Sequence, residues 1–126
     1  MIFLVLFTFS LFAQNNIMKF INEGKYSKAL EIIEEKISPK NSVYWSLKGL
    51  IKLNQKMYNE AISYFEKAKK LNPEDENNYY MLGLLYENIG GREKDAIENF
   101  EKFLEISKNK KKRKIALKHL KRLKEK

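Results

Sequence analysis

The sequence contains no cysteine, one histidine, one tryptophan, two prolines and five glycines in 126 residues. Without cysteine there is no disulfide, thiolate metal ligand, thiol nucleophile or acylated lipoprotein anchor. With His119 as the lone histidine, no His-x3-His metal pair can form. Neither a serine-centred glycine elbow nor a phosphate-cradling glycine loop is present, and no set of nucleophile, base and oxyanion donor can be assembled. The chain therefore reads as non-enzymatic, with no cofactor and no metal. The acids at Glu34-Glu35 and Glu74-Asp75-Glu76 fit solvated helix surfaces and helix starts.

Extended apolar runs are also scarce. One stands out, from Ile2 to Phe12, broken only by Thr8 and Ser10 and followed by Ala13 and polar Gln14-Asn15-Asn16. That is the shape of a signal-peptide core with a small residue at the cleavage point. It is too short to span a bilayer as a helix, which takes ~20 residues. No Lys or Arg precedes the run, an element that signal peptides ordinarily carry. A retained membrane anchor is the alternative if the segment is not cleaved. A buried soluble helix is disfavoured, because Phe3, Phe7, Phe9 and Phe12 leave no polar face.

What is abundant is helix-forming. Lys, Glu, Leu, Ala and Met are plentiful, valine occurs twice, and the length suits one domain. The net charge of +9 is unevenly spread. Residues 108–126 hold eleven Lys/Arg and one acid, whereas residues 1–107 hold fourteen bases and fifteen acids. All the excess basicity lies in the last segment.

Three stretches align: Gly24-Lys25-Tyr26-Ser27-Lys28-Ala29-Leu30, Lys56-Met57-Tyr58-Asn59-Glu60-Ala61-Ile62 and Gly91-Arg92-Glu93-Lys94-Asp95-Ala96-Ile97. Their alanines lie 32 and 35 residues apart, and each is followed four residues on by Ile33, Phe65 or Phe100. Pro39 and Pro73 lie 34 apart. These residues resemble the tetratricopeptide repeat, whose pattern is Trp-x2-Leu-Gly-x2-Tyr, then Ala-x3-Phe, then Pro. The second unit offers Trp45, Gly49, Tyr58, Ala61, Phe65, Ala68 and Pro73. The third offers Tyr79, Leu82-Gly83, Tyr86, Ala96 and Phe100. Lys48 and Lys52 stand where the family has Leu and Tyr, so Leu47 and Ile51 are expected to take over the packing, with that helix rotated. The first unit is the poorest, with Ile17 in place of the small residue and Phe20 as its one matching aromatic.

The resemblance implies an all-α, TPR-like α-solenoid of antiparallel helix pairs with a C-terminal capping helix. The expected division is 1–13 signal peptide, 14–107 about three helix pairs (14–40, 41–74 and 75–107), and 108–126 the basic cap. On that cap Ile115, Ala116, His119, Leu120 and Leu123 share one face, and His119 is expected to be partly covered there. Helix 76–89, apolar nearly all round, is expected at the centre of the stack. Trp45 is expected to pack, with a cation–π contact to Lys48 as the sharper reading.

In this family the first helix of each pair lines a concave surface that receives a partner's segment. The resemblance so points to Ser46, Leu50, Leu53 and Asn54, and to Asn77, Tyr80, Leu84, Glu87 and Asn88. The positions of the family's carboxylate clamp read Ser46, Leu50, Asn77 and Met81, so that clamp is absent. An apolar groove edged by asparagine suits a helix or an extended segment of a protein partner. The alternative reading gives Lys110, Lys111, Lys112, Arg113 and Lys114 an anionic membrane or envelope polymer to bind. Nucleic acid is disfavoured, since no aromatic interleaves these cations. A third reading makes them a solvated face that complements helix C-termini.

The resulting expectation is a small exported TPR protein, periplasmic or extracellular. Its mature form should begin at Gln14 or within two residues of it, as N-terminal sequencing from the producing cell would show. An intact Met1 on soluble cytoplasmic protein would overturn the localisation, and an intact Met1 in the membrane would make the segment an anchor.

Overall fold

A computed structural model describes residues 14–126, and the expected signal segment lies outside them. Among the described residues the chain is helical throughout, with no strand. Helix α1 covers 14–22, α2 Tyr26–Lys36, α3 Ser42–Asn54, α4 Tyr58–Leu71, α5 Glu76–Ile89, α6 Glu93–Ile106 and α7 Lys110–Lys124. No helix among the described residues is long and apolar enough to cross a membrane.

The two kinds of connection differ in chemistry. The odd helices α3, α5 and α7 start at Asn41, Asp75 and Asn109, whose side chains accept the N–H of Val43, Asn77 and Lys112 at 3.0–3.1 Å. Each such cap satisfies one of the donors orphaned at a helix start. The turns into α2, α4 and α6 instead pass through a left-handed residue: Gly24, Lys56 and the Gly90-Gly91 pair. Lys56, at φ +61°, is the one non-glycine residue there.

Proline does more than end a helix. The indole Nε1 of Trp45 donates to Pro39 O at 2.8 Å, and 34 residues later Tyr79 Oη donates to Pro73 O at 2.8 Å. Each loop between pairs is thereby clipped to the next helix. Trp45 also packs edge-on to Tyr44, and Lys48 and Lys67 lie 5.6 and 4.4 Å from its ring. Packing and cation–π contact coexist.

Within each pair, close approach sets the geometry. A Cβ added at Gly49 would lie 2.8 Å from Phe65 Cε2, and one at Gly83 would lie 2.7 Å from Phe100 Cε1. Ala61 and Ala96, fully buried, keep the opposite helix equally slim. The first pair evens out the sizes: Ile17 and Ile33, both fully buried, stand 32 residues before Gly49 and Phe65. Two medium side chains do the work of none and a ring.

The apolar side chains form two clusters. One joins α1–α3 through Ile17, Ile21, Ala29, Ile33, Tyr44, Leu47 and Ile51. The other runs from α4 through α7 around Phe65, Leu82, Tyr86, Phe100 and Phe103. Leu50 packs against both. Helix α5 buries six residues, in keeping with its expected central place. Leu47 and Ile51 are buried as expected, but α3 as a whole is not rotated, since Gly49 still meets Phe65. Lys48 and Lys52 carry their ammonium groups outward to Glu34 and Glu60, at 3.3 and 3.1 Å. On α7, Ala116, Leu120 and Leu123 are buried against the end of the stack.

Gly83→Ala should lower the melting temperature although alanine is the better helix former, because overpacking costs ~1–3 kcal/mol. Combined with Phe100→Leu, the loss should be smaller than the two single losses added. Additive losses in thermal melts would show that the ring swings away freely and that contact does not set the helix spacing.

Candidate functional site

The odd helices lie side by side. Asn54 Nδ2 on α3 donates to Ile21 O on α1 at 3.4 Å, and Ser46 Oγ donates to Asn78 Oδ1 on α5 at 2.8 Å. Lys112 Nζ on α7 donates to Asn77 Oδ1 at 3.0 Å. The first helices of the pairs and the cap so form one continuous face, which carries the residues expected to line a groove.

Their individual states differ. Leu50, Leu53, Tyr80 and Leu84 are half-buried, and Asn54, Asn77 and Asn88 are exposed. A hollow of about 160 Å³ lies between Leu53, Tyr58, Met81, Leu84, Leu85 and Asn88. It adjoins a wider one of about 380 Å³ lined by Leu84, Glu87, Asn88, His119 and Arg122. Leu84 and Asn88 belong to both. Tyr80 leans on Phe103, ring centres 5.0 Å apart, under Lys112 Nζ at 5.4 Å, and burial raises its phenol pKa.

Besides Asn54 and Asn77, two more expected groove residues, Ser46 and Glu87, are turned to internal partners. The Ser46 hydroxyl is directed to Asn78, a fully buried amide whose Nδ2 has no partner among the described residues. Glu87 is held by the cap: His119 Nδ1 lies 2.6 Å from its Oε2, and the Arg122 guanidinium donates to its Oε1, with Nε at 3.0 Å. Its carboxylate is thus matched within the chain rather than offered as a bare charge to a partner. Partial burial alone would raise its pKa, but the hydrogen bonds from Arg122 and His119 outweigh it and leave the pKa lowered.

The basic run is likewise divided. Arg113 is half-buried, its Nη1 donating to Leu104 O and, at 3.0 Å, to Ser107 O, so it caps the end of α6. Its Nη1 is thus engaged within the chain, unlike the exposed ammonium groups expected to share an anion with it. Lys112 is engaged with Asn77, while Lys110, Lys111 and Lys114 are exposed. His119 is partly covered as expected and stacks on Phe100 at 5.6 Å. The cross-links from α7 were missed from sequence. One signal was available: Glu87 is the sole acid between Asn77 and Arg92, opposite a helix rich in cations.

This stack of helix pairs with Gly/Ala–Phe contacts, clipped loops and a covered end is a tetratricopeptide-repeat protein. Residues 50–126 match the family model described as Regulator of microtubule dynamics protein 1-3, and the chain belongs to that family. A TPR repeat-containing protein of Methanocaldococcus jannaschii is 39% identical over 82 residues, covering 64% of this chain and 14% of that protein. The chain thus spans a small part of this curated relative. Among solved structures, the first TPR of Spaghetti (RPAP3) bound to an HSP90 peptide superposes with a TM-score of 0.75 at 20% identity, covering 91% of this chain and 90% of that one. The second TPR domain of human RPAP3, in complex with an HSP70 peptide, gives 0.72 at 22% identity, covering 90% and 93%. The Sgt2 TPR domain from Aspergillus fumigatus gives 0.72 at 21%, covering 90% and 75%.

Glu87→Gln should destabilise the protein by ~1–2 kcal/mol at neutral pH, since charge-assisted bonds to the cap are lost. A lowered carboxyl pKa stabilises the fold above the ordinary value near 4.5, and that contribution disappears as pH falls through the lowered value. Parent and variant should therefore converge in thermal melts as pH falls through that lowered value. A gap that persists unchanged in acid would show that Glu87 acts through packing instead of charge.

Proposed function

We propose that this chain is a non-enzymatic interaction module that binds a segment of a protein partner along the face of α1, α3, α5 and α7. The observation that carries this is the pair of adjoining hollows at Leu53, Leu84 and Asn88. There half-buried apolar side chains sit beside the exposed amide of Asn88. Such a floor gains by being covered, at roughly 25 cal/mol per Å² of apolar area, and amides at its edge fix orientation. Support comes from the RPAP3 domains of the same fold, which hold HSP90 and HSP70 peptides. Export through the N-terminal segment would place the partner in the periplasm or outside the cell, or at the membrane if the segment is retained.

The test separates binding from folding. Leu53→Ala with Leu84→Ala should recover much less partner than the parent in pull-downs from the native envelope fraction, with helicity nearly unchanged. Ala61→Leu should instead lower the melting temperature, because it overpacks a fully buried helix contact. Equal recovery by the Leu53/Leu84 variant would overturn the groove as the binding face.

A further inference from the structure

Gly49, Gly83 and Leu117 stand at equivalent places on α3, α5 and α7, each 34 residues after the last. The two glycines lie under Phe65 and Phe100, rings from the second helices of their pairs. Leu117 lies under no such ring and is 52% exposed, the most open large apolar side chain among the described residues. Helix α7 is thus built as the first helix of a fourth pair, and no second helix accompanies it among the described residues.

The uncovered place has a second wall. Second helices neighbour one another, since Lys69 Nζ on α4 donates to Asn99 Oδ1 on α6 at 3.4 Å. A helix laid on Leu117 therefore has α6 beside it. Two turns along the face from Leu117, Lys124 borders a hollow of about 710 Å³ between α6 and α7, which Ile97, Glu98 and Leu123 also line. Ile97 is half-buried, whereas Ile62, its equivalent 35 residues earlier, is buried.

Charge divides this face lengthwise. Toward α6, Arg113 is taken by the Leu104 and Ser107 carbonyls and Lys124 by Glu101. On the other side, Lys110, Lys114 and Lys121 share the face of Leu117 at −7, −3 and +4. All three are exposed, and none pairs with an acid among the described residues.

We propose that this end of the stack is a second docking surface, and that its occupant is an acidic amphipathic helix of a protein partner, which completes the fourth pair. The proposal does not depend on the groove. The apolar stripe of such a helix covers Leu117 and Ile97, while Asp or Glu along one edge meets Lys110, Lys114 and Lys121. Its residue over Leu117 is of medium size and not a ring, as in the first pair, where Ile17 takes the glycine's place and Ile33 the ring's. A second copy set face to face on α7 would bring nine cations against nine and be repelled. An anionic bilayer would meet the same lysines, but it leaves the hollow unfilled and faces Glu93 and Glu98 on its wall.

The experiment pans a displayed library of roughly 18-residue helices, five turns long, with randomised outer positions. The bait is the full chain carrying Leu53→Ala and Leu84→Ala, which keeps the groove out of the readout. Enriched helices should carry an apolar stripe at i, i+4, i+7 and i+11 with Asp or Glu along one edge. The best of them, as a fluorescein-labelled peptide, should gain helicity on binding, bind parent and bait equally, and bind less tightly as salt rises. Leu117→Ala should weaken it about tenfold or more, since an apolar contact is lost. Lys114→Glu with Lys121→Glu should weaken it at least as much. Neither change should lower the melting temperature, because these side chains are exposed. Enrichment of no helix, or of peptides indifferent to Leu117, would overturn this surface and leave the groove standing. Phosphatidylserine vesicles bound by the parent and released by the Lys114/Lys121 variant, with no peptide enriched, would give the face to a membrane. A concentration-dependent dimer in sedimentation that Leu117→Ala abolishes would give it to a second copy, and either result overturns the proposal.

Discussion

The contact on which the structure depends is a helix backbone pressed against the flat of a phenylalanine ring. Gly49 on Phe65 and Gly83 on Phe100 leave no room for even a Cβ. At that distance two antiparallel helices bury their small faces completely, as the fully buried Ala61 and Ala96 show. Such a pair is slim and stiff, yet it has more apolar surface than its own partner helix can cover. Leu82, Leu85 and Phe103 need neighbours, which is why a repeat of this kind is stable only in a stack. The first pair has Ile17 and Ile33, both fully buried, at the equivalent positions, so the contact does not require a particular residue.

A stack must also end, and here the end is electrostatically awkward. Helix α7 holds nine cations and no acid, five of the cations in consecutive positions at its N-terminus, where the helix dipole is already positive. Three arrangements offset this. Arg113 turns back to the carbonyls of Leu104 and Ser107, at the negative end of α6. Glu87 takes Arg122 and His119, and Glu101 takes Lys124 at 2.8 Å. Asn109 caps the first turn without adding charge. The apolar stripe Ala116, Leu120 and Leu123 then binds the helix by burial, which ionic strength does not weaken.

The fold was legible because it is written in small residues and rings at fixed spacing, signals that report directly on helix contact. The Ala29, Ala61 and Ala96 series and the apolar stripes of α4 and α5 needed no tertiary knowledge. The groove was legible only as a set of positions. Which side chains stay free depends on partners from other rungs: Ser46 turned to Asn78, 32 residues on, and Glu87 turned to α7, 32 and 35 residues on. The rotation expected of α3 failed for a related reason. Lys48 and Lys52 look misplaced for an apolar position, but long stems let them lie on the fold while Glu34 and Glu60 hold their ammonium groups at the rim. Arg113 was hidden most fully, because nothing in a run of cations marks the one that turns inward.

A neutral face ending in positive charge behaves differently from a face that grips one charged group. An exposed amide such as that of Asn88 can donate to or accept from any backbone, so it would hold a segment without reading its side chains. Discrimination must come from what differs along the face: its apolar side chains, which reward burial, and the cations of α7, which reward an acid. Arg122 is already paired with Glu87, Lys118 is exposed, and a charge in water is screened within about 8 Å at physiological salt. Their effect on affinity is therefore smaller than their number suggests, while their effect on direction is not. Reversing a segment in the groove would leave every backbone bond possible but move its acids about 20–30 Å from the cations, several screening lengths away. For a segment bound as proposed, charge at one end of the face would set which way it lies, and burial along that face would set how tightly it is held.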